Sequence, residues 1–570
     1  MQRLTEQQIA TLTAAANSAE DWQSILVAED FDPTKVRGCH FEGRVEVEGG
    51  VTLIGSTICN YHIGANSHIE SVTRLECRTA SSFGNGVSVA AVNENGGRTV
   101  IIYNELTAQT AYIVAMYRHR KDIVEASNSF ARHYALLLHK NIGTIGKNCK
   151  IVGTKFVREV NMENNSTIEG ASLVQNGTLL SGAYIGVDVK AVDFIAAQNS
   201  RIDLGAIVDR CFIGEDSILS KGFSAVNSLI FAGAHLENGE CCAIFAGPYV
   251  VSHHKSSLLI AGMFSFLNAG SGTNQSNHLF KGGAIHQAVH RRGCKFGSNG
   301  YVMNPAAEGE YTTILGRHTK HHDTSAFPFS YLIENQGISL LMPGFALRSY
   351  GIVRDIEKWR VRDSRRVRRD IISYNEYNPY ITSKVIRAIE LLEAQIAEAG
   401  SSEQWHYNNT TIKRGAAKRG LALYKSYLTA SLGAMLCVGK ADQLAISSVT
   451  DKWVDLAGQY VSGDWLERVL DSCTSADYIG ASLLEHHERY DNLAYSWAVS
   501  ALSKLLGRVA ETEDIAAAVV AGKEAHEAMR RVTDADRLSD IGAPMSVGYG
   551  TDSDDEAVRW ADFCAVHGLE

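Results

Sequence analysis

Histidines are concentrated in one part of this 570-residue chain. Eight of the 20 fall between residues 253 and 322. The neutral imidazole ring carries a nitrogen lone pair near neutral pH, which suits histidine to general base catalysis and to metal binding. The clustered residues are His253, His254, His278, His286, His290, His318, His321 and His322. We therefore expect a functional site in this segment.

The first candidate within the segment is a polar run in a glycine-rich loop. Asn274, Gln275 and Asn277 precede His278, and Lys281 follows it. Such a loop can present several hydrogen-bonding side chains to one ligand. The run predicts His278 as a general base and the other four as substrate-binding residues. The alternative is a turn that uses asparagine for left-handed backbone geometry.

The second candidate begins at Arg317, which is predicted to bind substrate. If this stretch is a strand, His318 and His322 share one face. Zinc or iron could be bound there by His318, His322 and Asp323, although the spacing matches no strong zinc signature. His318 acting as a general base oriented by Asp323 is equally compatible with the pattern. Both interpretations remain open from the sequence.

A basic segment between residues 354 and 369 is the third candidate. It contains eight Lys and Arg residues against three Asp and Glu residues. Guanidinium groups are suited to binding phosphate or carboxylate, so Arg354 and Lys358 are predicted to contact the phosphates of a nucleotide, coenzyme A or a phosphorylated sugar. The alternative is a solvated connector between two domains.

A six-residue spacing of apolar side chains indicates how these segments are positioned. It is clearest at Ile207, Ile213, Leu219, Ala225 and Phe231. Similar runs occur elsewhere in the chain, with one-residue slips between them. This periodicity predicts a β-solenoid with on the order of ten three-sided coils of roughly 18 residues, in which these side chains point inward.

Changes in periodicity divide the chain into six regions. Apolar spacing near 3.6 residues marks helices, and alternation marks strands. We predict an N-terminal helical cap (1–35), the first coils (36–102), a helical insertion (103–140), the main solenoid with the histidine-rich segment (141–351), a basic connector (352–380) and an α-helical C-terminal domain (381–570).

Composition restricts the class of protein. Apolar residues make up 45% and charged residues 21% of the chain, as in folded globular proteins. No secretory signal or membrane span is evident, and the 11 cysteines contain no CxxC pair, so we expect a cytoplasmic location with reduced thiols. The net charge of −9 argues against general nucleic-acid binding.

The repeats at Ile145-Gly146, Ile185-Gly186 and Ile213-Gly214 resemble the left-handed parallel β-helix of hexapeptide-repeat proteins. That group includes acyltransferases, sugar-nucleotide transferases and γ-class carbonic anhydrases. The whole chain looks like a family of long bacterial hexapeptide-repeat proteins that has no assigned activity. The segments that carry this second resemblance are 104–120, 270–278, 316–321 and 353–359.

The resemblance implies a left-handed parallel β-helix and, as the leading hypothesis, acyl transfer. A coenzyme A thioester would be the donor and a sugar or nucleotide-sugar the acceptor, with His278 or His318 as the base in a homo-oligomer. One alternative is a metal-dependent lyase or hydrolase that uses the His318, His322 and Asp323 cluster. The other is a non-enzymatic solenoid scaffold.

Overall fold

The computed structural model describes residues 1–276, 281, 286–438, 452–472 and 476–569. Its central feature is a parallel β-solenoid, which confirms the predicted fold class together with the helical insertion and the helical C-terminal part. The coil is shorter than the predicted 18 residues. Register partners on one side of the solenoid follow one another at intervals of 17 residues, namely Ile151, Ile168, Ile185, Ile202, Leu219 and Leu236.

Each coil has three sides, which we call the first, second and third walls. In the coil that starts at Ile207, the strand Ile207–Ile213 supplies the first two walls, and Arg210 turns the corner between them at a φ of 51°. The strand Ile218–Ser220 supplies the third wall. Inward side chains from all three walls then fill the interior.

The inward positions explain the slips in the apolar spacing. Val208, Ile213 and Leu219 are buried, and the next inward residue is Ala225. Steps of five, six and six residues complete each coil of 17, so a strict hexad loses register once per coil. Ile207, which the hexad placed inside, is instead 43% exposed. Apolar side chains inside successive coils form one continuous core.

The strands of the first and second walls join in one sheet with the N-terminal strands. They are Gln2–Arg3, Ser18–Ala19, Ile25–Val27, His40–Val47, Thr57–Ile63, Arg74–Glu76, Gly143–Ile145, Phe156–Met162, Leu173–Leu179, Lys190–Ala196, Ile207–Ile213, Ser224–Ile230, Glu240–Cys242, Phe245–Ala246, Leu258–Ile260, Gly262–Phe264, Asn274–Ser276, Ala288–His290, Tyr301–Met303, Ala306–Glu308, Arg317–His318 and Asp323–Thr324.

The third wall is a second stack of parallel strands. It contains Val36–Arg37, Thr52–Ile54, His68–Glu70, Lys150–Val152, Thr167–Glu169, Tyr184–Ile185, Arg201–Ile202, Ile218–Ser220, His235–Glu237, Val251–Ser252, Asn268–Ala269, Lys295–Phe296, Thr313–Leu315 and Tyr331–Asn335. Three further strands extend this sheet at its C-terminal end, and they are Ile338–Met342, Gln404–Tyr407 and Thr410–Lys413.

The insertion begins earlier than predicted. Gly143–Ile145 pairs directly with Thr57–Ile63, so the chain leaves the solenoid after Cys77 and returns at residue 143. An antiparallel hairpin (Ser88–Ala90 and Thr99–Ile101) precedes the two helices of the insertion. The hairpin was predicted as solenoid because both structures have the same alternation of apolar residues. The insertion packs on the outer face of the second wall.

Helices lie at both ends of the chain and in the insertion. In chain order they are αN (Glu6–Ala14), α1 (Ala108–Met116), α2 (Lys121–Leu138), α3 (Tyr350–Arg362), α4 (Pro379–Glu398), α5 (Arg414–Val438), α6 (Gly463–Asp471), α7 (Ala476–Glu488), α8 (Tyr490–Leu506), α9 (Thr512–Ser539) and α10 (Glu556–His567), with short 3-10 helices at Trp22–Ser24, Pro33–Lys35, Phe345–Arg348 and Ala543–Ser546.

The two ends differ in detail from the predicted boundaries. αN covers only part of the predicted cap, and strands within the first 35 residues already pair with the first coil. The predicted connector contains helix α3 and an extended strap, residues 363–378.

Among the described residues, α5 alone is long and apolar enough to cross a membrane by length and composition, and it packs against α4, α8 and α9. A hairpin, Trp453–Leu456 and Gln459–Ser462, precedes α6.

Candidate functional site

A groove of about 780 Å³ lies between helix α3 and the outer face of the third wall. Side chains of alternate strand residues point outward from a wall, so one column of residues from successive coils lines the groove. These residues are Arg201, Ile218, His235, Val251 and Asn268. Residues of α3 and of the strap form the opposite side. We call this cavity the basic groove.

Aromatic side chains form the floor of the basic groove. Phe266 is buried, and its ring lies 4.7 Å from the ring of Trp359 on α3. Tyr249 stacks on Phe266 at 5.5 Å, and its hydroxyl is 2.7 Å from the hydroxyl of Tyr374 in the strap. These contacts attach both α3 and the strap to the solenoid, so the shape of the groove depends on packed rings.

Each carboxylate that lines the basic groove is bound by a neighbour. Asp363 accepts hydrogen bonds from Arg365 Nε at 2.8 Å and from the Tyr374 hydroxyl at 2.9 Å. Asp216 accepts from Ser364 at 2.7 Å, and Asp355 pairs with Arg354 at 3.1 Å. These residues stabilise the strap and the helix. Asp355 and Asp363 are thus paired with arginines, whereas Asp216 has no cationic partner among the described residues.

Among the described residues, Arg201 and Arg365 in the lining are paired with carboxylates, but three other cations of the same groove are not. Lys358, Arg362 and Arg366 line it, and none of them forms a salt bridge with any residue in the described ranges. Partial burial lowers the pKa of Lys358, and the nearby Arg362 lowers it further. An uncompensated positive groove on a chain with net charge −9 favours an anionic ligand.

Two histidines complete the basic groove. The rings of His235 and His253 lie 6.0 Å apart in an edge-on arrangement. His253 Nδ1 is 3.5 Å from Glu237, which also accepts a hydrogen bond from Lys221 at 2.7 Å. Burial lowers the pKa of His235, and His253 and Arg362 lower it further, so His235 is neutral at pH 7. Either imidazole of this pair can accept a proton from a ligand while it is neutral.

Several residues predicted from the sequence lie in the solenoid interior instead. Gln275, Val302 and His318 are register partners on successive coils, and all three are fully buried. His318 Nδ1 lies 2.8 Å from the Ser339 hydroxyl. Burial, together with the nearby His322, lowers the pKa of His318 to about 4. His318 is therefore a neutral side chain within the core.

The predicted metal ligands His318, His322 and Asp323 do not converge on one point. Both ring nitrogens of His322 face acceptors, Glu308 at 2.7 Å and the Lys320 carbonyl at 3.2 Å. Because both must donate, His322 is an imidazolium without a free lone pair, in line with a pKa raised mainly by Glu308 against the effect of burial. Asp323 is exposed and binds Ser325. In the described ranges no three His, Cys, Asp or Glu side chains are arranged to hold a metal ion.

The remaining predicted residues lie at separate places. Asn274 and Arg317 flank Tyr301 in one register column of the first wall, where the Arg317 guanidinium lies 4.8 Å from the Tyr301 ring centre. Arg354 is on α3 and pairs with Asp355, while Lys281 is exposed. His278 and Asn277 lie outside the described residues, so their roles stay predictions.

Sequence reasoning identified Lys358 and the basic segment but did not select His235, Tyr249 or Phe266. His235 lies outside the histidine-rich segment. The coil repeat is the signal that could have found it, because His235 pairs with Val251, two residues before His253. With a coil of about 17 residues in place of a hexad, the outward residues of the third wall align as one column.

Comparisons with known proteins assign a family but no activity. Residues 442–569 match the family described as Domain of unknown function (DUF6819). An uncharacterised protein of Treponema pallidum (strain Nichols) is 22% identical over 584 residues, an alignment that covers 87% of this chain and 80% of that protein. Residues 48–395, more than half of the chain, match the family described as Domain of unknown function (DUF4954). The chain therefore belongs to the DUF4954 family.

Proposed function

We propose that the basic groove binds the phosphates of a nucleotide-sugar or related phosphorylated sugar, and that the protein transfers an acyl group to this ligand. The observation that carries the proposal is the set of Lys358, Arg362 and Arg366, which face one cavity without carboxylate partners in the described ranges. Charge-assisted hydrogen bonds from such groups to phosphate are strong and directional.

The aromatic floor supports a ligand with a flat or apolar part. Trp359 is half-buried, and its ring lies in the groove beside Phe266. A nucleobase or the apolar face of a sugar gains contact area on such a ring. A phosphorylated ligand with a base or sugar therefore matches both the charge and the surface of the groove.

His253 is our proposed general base. It is partly exposed in the groove and held near Glu237, whereas His318 is sealed in the solenoid interior. In acyl transfer, His253 takes the proton of the acceptor hydroxyl or amine. That atom then attacks the thioester carbonyl of the coenzyme A donor, and the departing thiolate receives the proton. The choice of acyl transfer rests on the resemblance to hexapeptide-repeat acyltransferases.

Binding is the first test. Titration calorimetry with UDP-N-acetylglucosamine and with coenzyme A should show binding that weakens by at least ~100-fold in the Lys358→Ala, Arg362→Ala double variant, because each of the two charged hydrogen bonds contributes about 1.5 to 3 kcal/mol. The matched control is Lys418→Ala, Arg419→Ala, which removes two exposed cations from α5. Equal affinity in all three proteins would refute the groove as the site and favour the scaffold hypothesis.

The reaction is tested separately. Acetyl-coenzyme A and candidate acceptors are incubated with the protein, and acylated product is followed by mass spectrometry. His253→Gln should lower kcat by ~100- to 10,000-fold and leave ligand affinity within about threefold, as expected for loss of a base. Unchanged kcat would remove His253 from the mechanism.

Native mass spectrometry of the same sample tests the proposed homo-oligomer, and fractionation of cells tests the proposed cytoplasmic location.

A further inference from the structure

A second group of charged residues lies where the solenoid meets the C-terminal domain. Arg291 and Glu310 belong to the solenoid, and Tyr380 and Lys384 lie on helix α4. Glu310 is completely buried, yet the side chains of Arg291 and Lys384 keep 34% and 23% of their surface exposed. Part of each of these two side chains is therefore exposed to solvent. We call this place the junction cleft.

One carboxylate organises the junction cleft. Tyr380 donates its hydroxyl proton to Glu310 at 2.6 Å, and Lys384 forms an ion pair with the same Glu310 oxygen. Lys384 also donates to the Tyr380 hydroxyl at 2.9 Å, and Arg291 donates to it at 3.3 Å. Two cations thus share a single negative charge, and Arg291 Nε is buried without an acceptor.

No neighbouring carboxylate among the described residues is free to neutralise the second of these two cations. Asp455 is bound by Arg292 at 2.7 Å and by the Gly458 amide at 2.7 Å. Arg98, in the insertion, is a further cation that acts electrostatically on Tyr112 of α1, as do Arg291, Asp455 and Glu310. Arg98 donates to Gln287 at 2.8 Å and to the Ala115 carbonyl at 2.9 Å, with no carboxylate partner among the described residues.

We propose that the junction cleft is a second ligand site, in which Arg291 and Lys384 bind the carboxylate or phosphate of a small anionic molecule. Tyr380 and Glu310 hold the two cations in place, so the site is formed before the ligand arrives. Such an oxyanion accepts hydrogen bonds from the guanidinium and the ammonium group at once. This site shares no residue with the lining of the basic groove and does not depend on the proposed transfer reaction.

The protonation of Lys384 gives a direct readout of the site. Burial lowers the pKa of Lys384 to about 8, with Glu310 opposing that shift and Arg291 adding to it. Asp455 also faces Lys384 and raises its pKa, and Tyr380 is its hydrogen-bond partner. At pH 8 a larger fraction of the Lys384 amine is therefore neutral than of an ordinary lysine, for which that fraction is less than ~1%. A bound anion should restore the ammonium form and shield it.

The experiment measures acylation of lysines at pH 8 with N-hydroxysuccinimidyl acetate, followed by peptide mass spectrometry of the full chain. The rate at Lys384 is compared with and without added anion, and exposed Lys418 serves as the internal reference. Millimolar inorganic phosphate or oxalate should slow Lys384 roughly tenfold and leave Lys418 unchanged. Comparing the two anions distinguishes a phosphate ligand from a carboxylate ligand.

Variants separate this site from the basic groove. Arg291→Gln keeps hydrogen-bonding capacity but removes the charge, and it should abolish protection by either anion. The Lys358→Ala, Arg362→Ala variant should retain full protection even if the groove binds nothing. Three results would overturn the proposal. In the first, neither anion slows acylation of Lys384 in the wild-type protein; in the second, Lys418 is slowed as much as Lys384; in the third, the groove variant loses the protection of Lys384. If Arg291→Gln does not fold, the wild-type and groove-variant results decide.

Discussion

Arg292 connects the solenoid to the C-terminal hairpin and should be the most damaging position for a single substitution at this interface. Its guanidinium is 4.1 Å from the ring centre of Phe266 in the groove floor and 4.4 Å from that of Tyr460 in the hairpin. It donates to Asp455 at 2.7 Å and to the carbonyls of Ser373 at 2.8 Å and Gly458 at 2.7 Å. One buried side chain therefore joins the solenoid, the strap and the hairpin.

Arg292→Met removes the cation but keeps much of the apolar stem. Asp455 is then left buried without its ion partner, and two carbonyls lose a donor. Breaking a buried ion pair by removing one member costs about 3–5 kcal/mol. Adding Asp455→Asn removes the uncompensated charge while keeping an acceptor for the Gly458 amide, so the double variant should recover about 1 kcal/mol or more.

Hydrogen exchange of residues 453–462 measures this loss locally. If the hairpin opens about 3 kcal/mol more easily, its protected amides should exchange on the order of 100-fold faster. Arg414→Met is the matched control, because Arg414 also donates to two carbonyls, those of Ser402 and Gly400, but at an exposed site. Exchange in the hairpin should not change in that variant.

An increase of less than about threefold in Arg292→Met would refute the reasoning, because the cost of an unpaired buried carboxylate could not then be present. An equal increase in Arg414→Met would also refute it, since the effect would then be independent of burial.

Because Ile213 lies in the solenoid interior, Ile213→Ala should lower the free energy of unfolding by about 2–5 kcal/mol. Ile207 belongs to the same hexad but is 43% exposed, so Ile207→Ala should change that free energy by less than ~0.5 kcal/mol. Chemical denaturation of both variants measures these changes, and equal losses would contradict the five-six-six spacing. Glu308→Gln should destabilise the protein most between the ordinary pKa values of glutamate (4.5) and histidine (6.5). His290 and His322 lower the pKa of Glu308 against the effect of burial, and this stabilises the fold above pH 4.5. The raised pKa of His322 stabilises it until pH rises past the folded value, so denaturation as a function of pH that shows no such window would count against these buried interactions. Trp359→Ala should weaken nucleotide-sugar binding roughly tenfold in calorimetry, and an unchanged affinity would exclude stacking on this ring.

The periodicity of apolar residues was sufficient to predict the solenoid, because a parallel coil must place apolar residues inside each wall at regular intervals. The 17-residue coil was harder to recognise. The five-residue step between inward positions spans a corner, where a residue such as Arg210 or Asn227 has a positive φ. No single residue type marks these corners in the sequence. A strict hexad therefore assigned Ile207 rather than Val208 to the interior.

The candidate site was predictable only in part. The density of cations around Lys358 is visible in the sequence. The assembly of His235 with His253 depends on strand register, and the neutral state of His318 depends on its inward position among apolar neighbours. A polar residue at an inward position breaks the usual pattern of the repeat, so residue type alone could not separate an interior histidine from a surface one.

The docking of the insertion onto the C-terminal part has a consequence for synthesis of the chain. Gln109 of α1 donates to the carbonyl of Leu456, a residue 347 positions later, and Ile113 packs in the same apolar cluster as Leu456 and Val461. At usual ribosomal speeds, roughly 20 to 70 seconds separate the translation of these partners. During that interval the coils between them can stack one after another, while this face of α1 stays uncovered. Nascent chains are therefore most exposed to aggregation or chaperone binding at the insertion, late in translation.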